Sequence, residues 1–321
     1  MIDKPLLKTI FGSDLDYIND VYGEVEWRLD SLVAPSVNKD RTTLINFSSE
    51  NWGNGNSIQV VEYLKSINFN NFIILTNDPS DHQSSKEIFY FPYWYFWSNE
   101  YFCMYKHKLS DDRTYLISCA NGNPRPHKIH HYLKLKKKSY FSECCISMQG
   151  NRGLITRPDE YVLTTEEELA WKNDTYTKYF RNPYNSVDFG LVLPMFVDSY
   201  LNIIAETTAN THCKFITEKT WKPIACEQLF LMLGNAGLMS TLKDMGVDTY
   251  DDYIDHKYYD TELDFVTRVK KMHDVLDNLV KNDIRSLFLL LKNRRVKNRE
   301  NFYNMSFVNN YVKDIKDYIN K

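Results

Sequence analysis

Short apolar runs alternating with stretches of helical period constrain this chain more than any other feature, because that alternation builds α/β units around a mostly parallel sheet. Residues 42–48 (TTLINFS) read as a strand, residues 57–67 as a helix with Ile58, Val61 and Leu64 on one face, and residues 72–76 (FIILT) as the next strand. The same alternation then recurs. Residues 115–120 (YLISCA) read as a strand, 124–138 as a helix, 200–206 (YLNIIAE) as a strand, 217–226 as a helix and 229–233 (LFLML) as a strand, with helices over 238–245 and beyond Thr261. The segment 87–98, EIFYFPYWYFWS, joins β-forming residues to a proline and reads as a strand end followed by an aromatic loop.

Two such blocks, separated by the polar stretch KHKLSDDR near residue 106, predict two Rossmann-like domains facing a cleft. The expected boundaries are 1–106, 107–290 and a helical extension over 291–321.

Composition removes several classes. With 39 Lys+Arg against 42 Asp+Glu the net charge is −3, too near neutral for a chain held on nucleic acid mainly by neutralising phosphates. The opening MIDKPLLKTIFGSDLD carries charges where a secretory signal needs an apolar run, and no stretch reaches about 18 uncharged apolar residues, so a cytoplasmic chain without a membrane partner is expected. Cysteines at 103, 119, 144, 145, 213 and 226 form no C-x-x-C pair and are expected to be reduced and mostly buried. The only D-x-D, Asp14-Leu15-Asp16, precedes the first confident strand and reads as an acid pair at a helix start. His130 and His131 are adjacent rather than one helical turn apart, so neither motif is expected to hold a metal.

The chemistry concentrates at strand ends. In CKFITEKTWKPIACEQ a helix begins near Thr217 with Glu218 and Lys219 in its first turn. A cation there opposes the helix dipole, and an anionic ligand would turn that liability into binding. In SCANGNPRPHKIHHYLKLKKK a strand ends in an Asn/Gly/Pro turn and a helix opens on Arg125, His127 and Lys128, with Ile129, Tyr132 and Leu133 as its apolar stripe. A guanidinium at such a turn suits bidentate contact with a diphosphate, which makes Arg125 the candidate. Glu50 follows the first strand, where α/β folds put their sites, and is the candidate general base.

Taken in order, FSSEN (47–51), FPYWY (91–95), SCANGNPRPHK (118–128) and LNIIAETT with FITEKTWKPI resemble four motifs of the fucosyltransferase-like glycosyltransferases, the group containing the α-1,3-fucosyltransferases. The shorter phage and large-virus forms are the most similar, and the resemblance spans roughly residues 42–240. It implies a GT-B fold with an N-terminal acceptor domain and a C-terminal domain for a nucleotide sugar, GDP-fucose being the leading donor. It implies an inverting transfer to a glycan hydroxyl with Glu50 as base. Arg125 and Lys219 would lie on the diphosphate, with Glu206, Phe215, Thr217 and Glu218 also on the donor, and Asn51, Trp52 and Tyr93 toward the acceptor. No metal or other cofactor is then required.

Two departures bear on the donor: Phe215 stands where the family has Tyr, and Thr207 where it has Asn after the donor-site Glu. Two other readings stay open. The basic helix 128–138 and LLKNRRVKNRENF could contact phosphates of a DNA acceptor carrying a modified base, or the chain could bind a nucleotide sugar without turning it over.

Overall fold

The structure, a computed structural model, describes residues 7, 10–11, 16–19, 42–47, 56–103, 109–148, 154, 161–174, 195–210 and 213–320. It is a mixed α/β chain with two four-stranded parallel sheets, compatible with a Rossmann-like fold. Contacts divide it into two compact units: residues 1–97 with 212–215 and 308–321, and residues 98–211 with 216–307.

The first unit holds strands β1 (Asp16–Asn19), β2 (Thr43–Asn46), β3 (Phe72–Thr76) and β4 (Ile88–Tyr90), hydrogen-bonded in that order. Helix α1 (Asn56–Ser66) crosses from β2 to β3. Its buried face is Ser57, Val60, Val61 and Leu64, and the last three pack with Ile45, Phe72 and Ile74. Ile58, expected on that face, is turned toward solvent instead. The helix is stopped by Asn68 in the left-handed region (φ 59°), a conformation Asn tolerates, with the Phe69 amide returning to the Leu64 carbonyl.

Two expectations fail in this unit. Asp16, read as part of a helix-start acid pair, opens β1 opposite Thr43; Asp14 and Leu15 lie outside the described residues. The aromatic loop after β4 is helix α2 (Tyr93–Cys103), launched from the Pro92 carbonyl, which accepts from the Tyr95 and Phe96 amides. Apolar rings on every side of α2 erase the 3.6-residue period by which a helix is recognised.

The second unit contains β5 (Tyr115–Ala120), α3 (Pro126–Lys136), β6 (Cys144–Ser147), α4 (Thr165–Lys172), β7 (Ser199–Ala205), α5 (Glu218–Ala225) and β8 (Leu229–Leu233). After these come α6 (Leu238–Asp244), α7 (Lys257–Asp260), α8 (Phe265–Lys281), α9 (Ile284–Leu290) and α10 (Lys292–Tyr303). The strand order is β6-β5-β7-β8, all parallel. Every residue of β7 and β8 is buried, which is why both read as unbroken apolar runs. The chain leaves β5 toward one edge and returns through β7 toward the other. That reversal creates a switch point between the carboxyl ends of β5 and β7, the place where parallel sheets leave a crevice.

Two buried guanidiniums brace this unit from behind. Arg113 donates to the carbonyls of Phe196, Ser199 and Cys226 at 3.2, 3.0 and 2.9 Å. Arg295 donates to the carbonyls of Phe288 and Glu227 at 2.9 and 2.8 Å. Both lie over the Phe288 ring.

The terminal helices are shared out rather than forming one extension: α10 belongs to the second unit, whereas the last helix, α11 (Asn309–Ile319), packs on β4 of the first. There Tyr311 meets Tyr90 and His82 edge-on, and Tyr318 meets Phe89. Among the described residues no helix is long and apolar enough to cross a membrane, and five cysteines are buried free thiols.

Candidate functional site

The switch point of the second unit gathers most of the expected donor residues. The turn after β5 presents Arg125 as the residue preceding α3, and the segment after β7 carries Glu206 and Thr207. The start of α5 adds Thr217, Glu218 and Lys219.

Glu206 is the anchor of this arrangement. It is fully buried, and its Oε1 accepts from the Thr217 amide (3.0 Å) and the Thr220 hydroxyl (2.6 Å). Its Oε2 accepts from the Thr217 hydroxyl (2.6 Å) and the Thr207 amide (3.2 Å). Four donors match the four acceptor positions of a carboxylate. Glu206 therefore ties the end of β7 to the first turn of α5, and these oxygens point inward to the chain's own donors rather than outward to a ligand.

Thr217 caps α5 and lends its hydroxyl to Lys219 as well: the Lys219 amide and its Nζ lie 3.4 and 3.2 Å from Thr217 Oγ1. Lys219 Nζ also donates to Glu218 Oε1 at 2.8 Å. Burial works against the Lys219 charge, but Glu218 and Glu206 outweigh it and hold its pKa above the usual lysine value. For Glu218 burial pushes upward, while Lys219 and Lys222 pull harder and leave its pKa below the usual carboxylate value. Both groups are thus charged at neutral pH.

Facing them, α3 opens on Pro126, a residue that fits a first helical turn, and its next two residues turn inward. His127 Nε2 donates to the Glu206 carbonyl at 3.0 Å, so Nδ1 is the bare nitrogen; it has no hydrogen-bond partner among the described residues. Burial and the neighbouring Lys128 keep this imidazole neutral. Lys128 is buried and donates to the Asn121 carbonyl at 2.6 Å. Burial, then the charges of Lys219 and Arg125, push its pKa down to about 7. The charges of Arg125, Lys128 and Lys219 repel one another, at a place where two helix N-termini add positive potential of their own. An oxyanion is the ligand such a place accommodates.

Sequence reasoning did not include Lys128, His127, Thr207 or Thr220 among the site residues. For Lys128 the available signal was a second cation in the same first turn as Arg125; its burial was not visible. Of the other expected residues, Tyr93 is buried at the start of α2 in the first unit, edge-on to Trp94 at 5.4 Å. Phe215 is buried, but its segment, 212–215, belongs to the first unit, where the Lys214 amide donates to Asp78 Oδ2 at 3.1 Å. Glu50, Asn51 and Trp52 lie outside the described residues. The first unit also has an open groove of about 470 Å³ lined by Gln83, Lys86, Phe89, Asp314, Asp317 and Tyr318, which holds none of the expected residues.

Several cations of the basic stretches are paired within the second unit. Lys136 pairs with Asp174 at 2.7 Å, and Lys138 pairs with Asp277. Farther on, Lys292 pairs with Asp111, Arg294 with Asp248 and Asp252, and Arg299 with Glu227. Each of these cations already has a carboxylate partner.

Comparison with protein-family models, with curated proteins and with solved structures finds no match to this chain.

Proposed function

We propose that this chain is an inverting glycosyltransferase of the GT-B type that moves a sugar, with fucose as the leading candidate, from a nucleotide-sugar donor to a hydroxyl of a glycan. The observation that carries the reading is the meeting of Arg125 and Lys219 at the switch point, each beside the start of a helix and each adding positive charge where the helix already supplies it. Such a site suits the diphosphate of a nucleotide sugar. In the displacement at the anomeric carbon, negative charge builds on the departing nucleoside diphosphate, and fixed cations stabilise that charge in proportion to its growth. Glu50 is the proposed base that takes the proton of the acceptor hydroxyl.

In this reading Glu206 acts by holding the Thr217 and Thr220 end of α5 in place, so that Lys219 is aimed by a rigid turn rather than by contact between Glu206 and the donor. Glu218, charged and beside Lys219, is the proposed acceptor of hydrogen bonds from the ribose. The ion pairs of Lys136, Lys138, Lys292, Arg294 and Arg299 favour a glycan over DNA as acceptor, because contact with phosphates would first have to break them.

Thermal denaturation with GDP, UDP, ADP, CDP and TDP, each with and without Mg²⁺, tests the reading. A ligand at a hundredfold excess over its Kd stabilises the native state by about 2.7 kcal/mol. We expect GDP to raise the melting temperature with or without Mg²⁺ and Lys219→Ala to abolish the rise. A shift with another nucleotide would replace the donor, and no shift with any of the five would remove the diphosphate site.

A further inference from the structure

Lys128 is a side chain whose surroundings the reading above does not use. It sits in the first turn of α3, 2 % exposed, and among the described residues its ammonium has one acceptor, the Asn121 carbonyl. An ammonium carries three N–H donors, so two are unmatched in a place closed to water. A lysine buried this way is costly to keep charged unless an anion compensates it. Two more buried polar atoms nearby, Asn121 Nδ2 and His127 Nδ1, have no partner among the described residues.

We propose that Lys128 is a third, proton-coupled cation of the diphosphate site: a positioning residue that holds the turn between β5 and α3 through the Asn121 carbonyl and takes up a proton when the anion binds. The inference rests on the nucleotide-sugar reading and deepens it. Without ligand, Arg125 and Lys219 repel charge on Lys128, and burial adds to that repulsion, which puts its titration near neutrality, at about 7. A bound diphosphate reverses the local potential, so the protonated form becomes the favoured one. The proton lands on Nζ, and the diphosphate meets one more positive charge than the free site displays.

Charged and titratable groups face Lys128 from several elements. From β5, Cys119 has its thiol pushed up to about 12 by burial. On its own helix His127 is held neutral. Beyond β7 lies Glu206, saturated by four donors, and from α5 comes Lys219, whose pKa is raised above the usual lysine value.

Linkage gives the sign. Affinity is flat below the free pKa and weakens as pH rises above it, by up to about tenfold per pH unit, until the pKa of the bound state is reached. The test is calorimetric titration of the full chain with GDP-fucose, and with UDP-glucose as a second probe. Both are nucleotide sugars whose esterified phosphates carry no proton near neutrality. Titrations in HEPES and in Tris at about pH 7.5 read proton uptake from the buffer dependence of the heat, which requires no variant. We expect net uptake of a proton in wild type, a Kd that rises from about pH 7 to 8.5, and loss of both in Lys128→Met. Lys128→Arg, charged throughout, is expected to bind without uptake. Binding with no proton uptake, or a pH slope unchanged in Lys128→Met, overturns the role of Lys128 alone. Absence of binding by either probe at every pH overturns the nucleotide-sugar reading, and the role of Lys128 with it.

Discussion

Thr217 and Glu206 are joined twice: the Thr217 amide lies 3.0 Å from Glu206 Oε1 and its hydroxyl 2.6 Å from Oε2. This pair of hydrogen bonds between a helix cap and a strand-end carboxylate sets where α5 begins, and so where Lys219 is held. Glu206→Gln would turn an amide NH₂ toward donors that need an acceptor. We expect a loss of about 2–3 kcal/mol of stability in urea denaturation together with weaker nucleotide binding. Thr217→Val, which removes the hydroxyl and keeps the amide bond, should cost about 1 kcal/mol. A Gln variant as stable as wild type would show that the four bonds are not what positions α5.

Arg295 is fully buried, with Phe288, Glu227 and Asp111 around its guanidinium. Arg295→Met removes the charge and leaves two buried carbonyls without donors. We expect a loss of about 3–5 kcal/mol, read as a lower urea midpoint at unchanged slope. A loss under about 1 kcal/mol would mean that water replaces the guanidinium at those carbonyls.

His256 donates from Nε2 to the Thr249 carbonyl (2.9 Å) and accepts at Nδ1 from the Tyr259 hydroxyl (2.8 Å). The bond from Tyr259 requires the neutral ring, and burial lowers its pKa to about 4. Between the usual histidine value and about 4 the unfolded chain binds the proton and the folded chain does not, so stability falls as pH drops through that window. For one such group the slope approaches about 1.4 kcal/mol per pH unit. His256→Gln should flatten the acid limb of a stability–pH curve by about that amount. An unchanged slope would assign the limb to the other buried histidines, His127, His131 and His273.

Gly234 follows β8, beside the site. A Cβ there would stand 2.5 Å from Leu238 Cδ1 and 3.4 Å from Glu206 Cβ. In Gly234→Ala the end of the Leu238 side chain has to move, at about 1–2 kcal/mol. Gly234→Val presses on Glu206 as well and should weaken nucleotide binding beyond its effect on stability. Comparing ligand-induced melting shifts of the two variants checks this, since equal shifts would separate Gly234 from the site.

Strands β2, β3, β5, β7 and β8 were legible because parallel strands buried on both faces read as continuous apolar runs. β1 (DYIN) and β6 (CCIS) were not, being four residues each and lacking that signature. Helix α2 was hidden by aromatic residues on all its sides, and α4 by a short polar sequence in which the capping box, Thr164 with Glu167, has no apolar stripe behind it. Arg125 and Lys219 stood out as candidates because a cation near a helix start conflicts with the helix dipole, and that conflict is local. The inward turn of Lys128 and the saturation of Glu206 were not, because each depends on partners brought in by a different strand or helix.

By itself, then, the sequence determined the local elements and the two places where charge and helix direction disagree, since both follow from spacing along the chain. The tertiary structure decided that β7 lies beside β5 rather than beside β6, and so that those two places meet. Strand order reflects which apolar faces can be buried together across the whole unit, and the charge state of a buried group reflects every neighbour through space; neither is a property of any single segment.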